Sequence, residues 1–179
     1  MADDLTSPEY TRLAKALKML LLDVDGVLTD GTIILSGSGD EVKHFNVHDG
    51  MGITLAQAAG LRIGILTGRS SKVVQRRAEE LKIEEVVQGS GNKGQDLDRL
   101  IEKYSISCEE IAYIGDDIPD LPVMRRVGMP IAVANARPDV KAACIFVTHE
   151  TGGNGAVREA IEWLLELRGQ KDEIYKKFA

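Results

Sequence analysis

Short apolar runs alternate with amphipathic segments along this chain. The runs MLLLDV from Met19, IGILT from Ile63, EEVV from Glu84, IAYIG from Ile111, PIAVA from Pro130 and CIFVT from Cys144 are each too short for a helix. Most also lack the polar alternation of a half-exposed strand, the pattern of parallel strands buried on both faces. Between them, GMGITLAQAAG, SSKVVQRRAEELK, KGQDLDRLIEKY, DLPVMRRVG and GAVREAIEWLLELR have helical spacing. Strand and helix alternate, so the pattern predicts a doubly wound, Rossmann-like α/β sheet with helices on both faces.

Three segments depart from the alternation. Residues 1–18 are polar, and Pro8 opens a solvated leader helix with Arg12, Lys15 and Lys18 on one face. Residues 31–47 hold two β-rich runs, Thr32 to Leu35 and Glu41 to Val47, around a turn at Ser36 to Asp40, and predict a projecting β-hairpin. Residues 169–179 form a charged tail expected to be mobile or to dock on a partner. The principal domain is therefore expected over residues 19–168.

The 179 residues fit one compact domain at roughly 150 residues per domain. Lys and Arg total 22 against 28 Asp and Glu, and the net charge of -6 disfavours nucleic acid and anionic membranes as partners. Cys108 and Cys144 are too far apart for a CxxC site and suggest no disulfide framework, so both are expected to pack as small apolar groups. The longest strongly apolar stretch, Met19 to Leu22, is far short of the ~20 residues of a membrane span. The acidic start lacks a signal-peptide pattern, which makes the cytoplasm the expected compartment.

Ligands of open parallel sheets bind beyond the carboxyl ends of the strands. Asp23 and Asp25 follow the first strand, Thr67, Gly68 and Arg69 the second, and Asp116, Asp117 and Asp120 the fourth. Lys93 stands in SGNKG at a helix start. Each group alone is explained by turn or capping chemistry. Together, in this order, they point to one functional site. Carboxylates crowded at one sheet edge repel one another, so the arrangement calls for a divalent cation, and hard oxygen ligands indicate Mg²⁺.

In DVDGVLTDG, LTGR, NKG and GDDIPD the chain resembles the haloacid dehalogenase superfamily of phosphatases, from about Leu20 to Leu167. The resemblance implies a Mg²⁺ ion on Asp23, the Asp25 backbone carbonyl and Asp116. It also implies Asp23 as nucleophile, forming an aspartyl-phosphate, and Asp25 as a general acid, protonated when substrate binds, and then as general base. Thr67 and Lys93 would meet the transferring phosphoryl group, with Gly26, Gly68 and Arg69 around the substrate. Asp117 and Asp120 would orient Lys93 or metal-bound waters.

Neither slot that holds a cap domain in this superfamily is filled here. Further matches at FNVHDGMGI, GRSSKVVQRRAEELKI and GGNGAVREAIEWLL extend the resemblance to capless tetrameric sugar-acid phosphatases, closest to those acting on 3-deoxy-D-manno-octulosonate (KDO) 8-phosphate in lipopolysaccharide synthesis. In that family the hairpins build a homotetramer, and Gly152 to Arg158 would help close a neighbour's site. The family commonly has arginine where this chain has His48 and Asn154, both candidate substrate contacts. An imidazole or an amide does not reproduce arginine's carboxylate-matching fork, which keeps nine-carbon acid 9-phosphates as an alternative. A phospho-accepting receiver module is a rival reading, set against by the motif order; a phosphatase of macromolecules is another, since an open site admits large substrates. His44 and His48 fall four apart on a predicted strand, but no Cys or carboxylate joins them at metal-ligand spacing, so hairpin packing or substrate contact is the expectation. His149 has no evident role, and Trp163 is expected on a buried stripe with Ile161 and Leu164.

Overall fold

The computed structural model describes residues 5–37 and 41–179. Its centre is a six-stranded, all-parallel sheet built of β1 (Met19–Leu22), β4 (Arg62–Leu66), β5 (Glu85–Val87), β6 (Ile111–Gly115), β7 (Met129–Ala132) and β8 (Phe146–Val147). The strand order is β5-β4-β1-β6-β7-β8, so the chain leaves β1 towards one edge and returns to β6 on its other side. That reversal opens a crevice beyond β1, where such sheets bind ligands. The expected doubly wound fold is observed. β1 is buried at all four residues and β6 at all five, as their unbroken apolar runs require.

The flanking helices are α1 (Pro8–Ala16), α2 (Val47–Ala58), α3 (Lys72–Glu80), α4 (Lys93–Tyr104), α5 (Leu121–Met124), α6 (Pro138–Lys141), α7 (Ala156–Leu167) and α8 (Lys171–Lys176). Ser7 caps α1, its hydroxyl accepting from Tyr10 N at 3.3 Å, and Pro8 occupies the first turn. Arg12 and Lys15 face solvent as expected, but Ala14 and Leu17 are buried in the core. The leader is thus docked on the sheet domain. Among the described residues no helix is long and apolar enough to cross a membrane.

Several expectations need correction. The hairpin is shorter than its apolar pattern suggests: β2 (Ile34–Leu35) pairs antiparallel with β3 (Glu41–Val42), and residues 38–40 of the predicted turn lie outside the described residues. Asn46 ends the extended segment by accepting from His48 N at 2.7 Å, so Val47 and His48 open α2. His44 and His48 therefore do not share a strand face. The C-terminal segment folds as α8, burying Ile174 on its own domain. Trp163 is half-buried at the edge of α7, stacked on Phe146 at 4.4 Å, while Ile161 and Leu164 are fully buried. Cys108 and Cys144 are half-buried against the core.

Candidate active site

The crevice beyond β1, β4 and β6 holds a cavity of about 240 Å³ lined by Asp23, Asp25, Thr67, Arg69, Lys93 and Asp116, with Gly68, Asp117 and Asp120 completing its wall. Asp23 continues β1, its amide donating to Ile114 O at 3.1 Å. The chain then turns sharply, because Val24 O accepts from the amides of Val27, Leu28 and Thr29. Gly26 has φ +93°, a conformation suited to glycine, and a Cβ there would lie 2.1 Å from Asp116 Oδ2. Its missing side chain lets the first and fourth motifs touch. Asn92 caps α4 by accepting from Gln95 N at 3.2 Å, which puts Lys93 at the first position of the helix.

Lys93 is almost fully buried, and its ammonium donates to Asp120 Oδ1 at 2.6 Å and to Tyr113 Oη at 3.1 Å. It also lies 3.0 Å from Asp23 Oδ1 as an ion pair. Asp120 is held hard: Tyr113 donates to Oδ1 at 2.5 Å, and the amides of Asp116 and Asp117 donate to Oδ2 at 2.9 and 3.1 Å. Asp120 is thus the acid that orients Lys93. The Asp117 carboxylate instead accepts from its neighbour Ile118 N at 2.8 Å. Burial would pull the Lys93 amine down, but Asp23 and Asp120 beside it push it above its ordinary range.

Asp23, Asp116 and Asp120 each bring a carboxylate oxygen within 4.8 Å of the others. Burial pushes the Asp23 carboxyl up to about 6 against the pull of Lys93. Burial and repulsion from Asp23, Asp120 and Asp117 push Asp116 to about 7. Asp116 Oδ1 is buried with no hydrogen-bond partner, and buried Asp23 Oδ1 has only the Lys93 ammonium beside it, as an ion pair at 3.0 Å. Buried oxygens without donors are costly unless a ligand satisfies them. Both oxygens of Asp120 are already engaged, so a cation would fall to Asp23 and Asp116. The donor set is all oxygen, which suits Mg²⁺.

Other residues are distributed less simply. His48 and Asn154 do not line this cavity; they border a separate groove of about 530 Å³ together with His149, Glu150, Arg158 and Glu159. His149 Nδ1 lies 2.7 Å from Glu159 Oε1 on the surface. Gly152 and Gly153 pack on their own chain, with Gly153 N donating to Val27 O at 2.9 Å. Three contributors were missed from sequence. Tyr113 is buried in β6 with its hydroxyl on Asp120, and one phenol in an otherwise apolar strand was the available signal. Lys43 and Glu41, from the hairpin, reach the Asp25 and Arg69 side chains, and the local pattern carries no sign of it.

The profile of haloacid dehalogenase-like hydrolases matches residues 83–161. The chain is 44% identical over 167 residues to the 3-deoxy-D-manno-octulosonate 8-phosphate phosphatase of Escherichia coli K12, covering 93% of this chain and 89% of that one. Among solved structures, the 3-deoxy-D-manno-octulosonate 8-phosphate phosphatase of Moraxella catarrhalis, in complex with magnesium, phosphate and KDO, superposes with a TM-score of 0.92 at 42% identity, covering 96% of this chain and 98% of that one. The cobalt-bound Haemophilus influenzae phosphatase gives a TM-score of 0.87 at 34% identity, covering 92% and 99%.

Proposed function

Given that the chain belongs to the haloacid dehalogenase-like hydrolase family, we propose that it is a Mg²⁺-dependent phosphomonoesterase that hydrolyses KDO 8-phosphate to KDO and inorganic phosphate. The observation that carries the reading is the pair of buried carboxylate oxygens on Asp23 and Asp116, the first met only by the buried Lys93 ammonium and the second by no donor, in a cavity at the strand-order reversal. Phosphatases of the eight-carbon substrate cover nearly the whole chain, and neither a nine-carbon acid phosphatase nor a receiver module is favoured.

The roles follow from position. An Asp23 oxygen bonds to phosphorus as the ester bond from phosphorus to the sugar oxygen breaks, and Asp25 gives its proton to that departing oxygen. Water then attacks phosphorus and loses a proton to Asp25, and the bond to Asp23 breaks to release phosphate. Lys93, fixed by Asp120 and Tyr113, places a positive charge beside the reacting carboxylate, where it stabilises charge developing on the phosphoryl oxygens. Thr67, which follows β4, supplies a hydroxyl to the same cavity, with Gly68 and Arg69 in its lining and Gly26 beside it, all around the substrate. Asp23, the Asp25 carbonyl and Asp116 would hold the Mg²⁺ ion, which when bound neutralises carboxylates and phosphate enough for them to approach.

His48 and Asn154, outside the cavity of their own chain, serve the site of a neighbouring subunit in a homotetramer built through the hairpin. The enzyme then acts in the cytoplasm, in lipopolysaccharide precursor synthesis. The test is phosphate release from KDO 8-phosphate and from nine-carbon acid 9-phosphates, with Mg²⁺ or a chelator, for the native chain and Asp23→Asn. Mg²⁺-dependent turnover of the eight-carbon ester, lost by at least ~10³-fold in the variant, is expected. Undiminished turnover by Asp23→Asn would overturn the reading.

A further inference from the structure

Lys43 is the most deeply buried charge among the described residues of the hairpin: its side chain is 1% exposed, yet it does not line the active-site cavity. An ammonium taken out of water costs several kcal/mol unless paired. Its partners are Asp25 Oδ1, to which it donates a hydrogen bond, and Glu41 Oε1 at 3.2 Å. Arg69 closes the figure, with Nη2 3.0 Å from the same Glu41 oxygen and Nε 3.6 Å from Asp25 Oδ2. Hydrogen bonds from Ser71, Arg69 and Lys43 outweigh the effect of burial and hold the Glu41 carboxyl at about 2, so Glu41 stays ionised and fastens both cations. Two cations and two carboxylates form a closed ring, and each oxygen of Asp25 faces a different cation.

We infer that Lys43 is a positioning residue for Asp25, and that the hairpin is thereby part of the active site as well as an assembly element. The inference rests on the acid-base reading of Asp25 given above. A carboxyl on a side chain with two free torsions must be held to meet the departing oxygen, and misplacement by about 1 Å costs on the order of 10²-fold. Arg69 alone is a weaker hold, because its side chain is half exposed and its approach to Asp25 is longer. Lys43 is buried, and the hairpin backbone fixes where it starts. Without it, Asp25 and Glu41 share a single cation and Asp25 is free to swing.

A group that only braces the fold lowers turnover of every substrate alike, whereas one that positions the acid matters most when the leaving group needs a proton. The experiment compares KDO 8-phosphate, an alkyl ester, with p-nitrophenyl phosphate, whose phenolate departs unprotonated. Asp25→Asn serves as the reference. In Lys43→Met, kcat on the alkyl ester is expected to fall ~30-fold or more and on the aryl ester no more than ~3-fold, a pattern parallel to but weaker than that of Asp25→Asn, within the range of general-acid effects. Lys43→Arg should recover most of the alkyl activity. Glu41→Gln, which leaves Lys43 in place, should show a smaller selective loss and provides the test if Lys43→Met does not fold. Equal losses on both esters, or no loss, would overturn the inference while leaving the role of Asp25 intact. If Asp25→Asn itself fails to discriminate between the esters, the acid-base reading falls and this inference falls with it.

Discussion

Asp117 and Asp120 carry the same functional group three residues apart, yet only Asp120 holds Lys93. The difference is backbone geometry. The short turn after β6 folds the Asp120 side chain back over the amides of Asp116 and Asp117, and Gly115 makes room for it, since a Cβ there would lie 2.7 Å from the Asp120 carboxyl carbon. Motif spacing identified both acids as candidates but could not rank them, because a ranking needs the direction of each side chain. The same crowding makes a pH prediction. The ordinary value for Asp23 and Asp116 is 3.8, and the folded site raises them to about 6 and about 7. Folding therefore favours their protonated forms. Their contribution to stability is complete below about 3.8 and is lost as pH rises through about 6 to 7. Mg²⁺ needs the ionised forms, so protons compete with it in that window. Thermal melts with Mg²⁺ and with chelator should differ little near pH 5 and increasingly towards pH 8; a difference that does not change with pH would refute this assignment.

At the level of elements, the start of α7 shows how distant segments complete one another. Its N-cap, Gly155, has no side chain to offer, and the buried Asp49 of α2 substitutes, accepting from Gly155 N at 3.3 Å and Arg158 N at 2.9 Å. The anchored turn before it is wedged against the loop that follows Asp23: a Cβ on Gly152 would lie 1.7 Å from Gly26 O. From sequence, Gly152 to Arg158 could be read as closing a neighbour's site or as a loop starting a helix; the structure gives the glycines a bracing role within the chain. Gly152→Ala must displace either the turn or the Asp25–Gly26 backbone. It should cost about 2–3 kcal/mol in urea unfolding, and the surviving folded enzyme should lose roughly tenfold in kcat. A variant with native stability and native kcat would show that the contact is not structural support for the site.

For the whole molecule, the notable surface is the hairpin and its root. Ile33, Leu35, Val42 and Val47 are 53%, 65%, 43% and 75% exposed, an apolar concentration that a lone globular chain has little reason to keep. An exposed apolar patch of this kind fits closed assembly of identical subunits. Val47→Asp places a charge in that patch away from the β2–β3 pairs, where Leu35 stands opposite Glu41 of the ring around Asp25. Sedimentation velocity should then show the native chain as a tetramer and the variant as a smaller species. If both sediment identically, the hairpin is not the assembly surface.

The linear order of residues already determined the sheet, since unbroken apolar runs and helical spacing are local properties that any parallel α/β packing must satisfy. It also determined Asp23, Asp25, Thr67, Lys93 and Asp116 as a group, because each directly follows a strand or opens a helix on one side of the sheet. Tertiary structure alone decided that Lys43 and Glu41 reach Asp25 and Arg69, that Asp120 and Tyr113 anchor Lys93, and that His48 and Asn154 face a different groove. Those partnerships join positions 7 to 28 residues apart, or more, and which charges must pair is settled only when packing removes them from water.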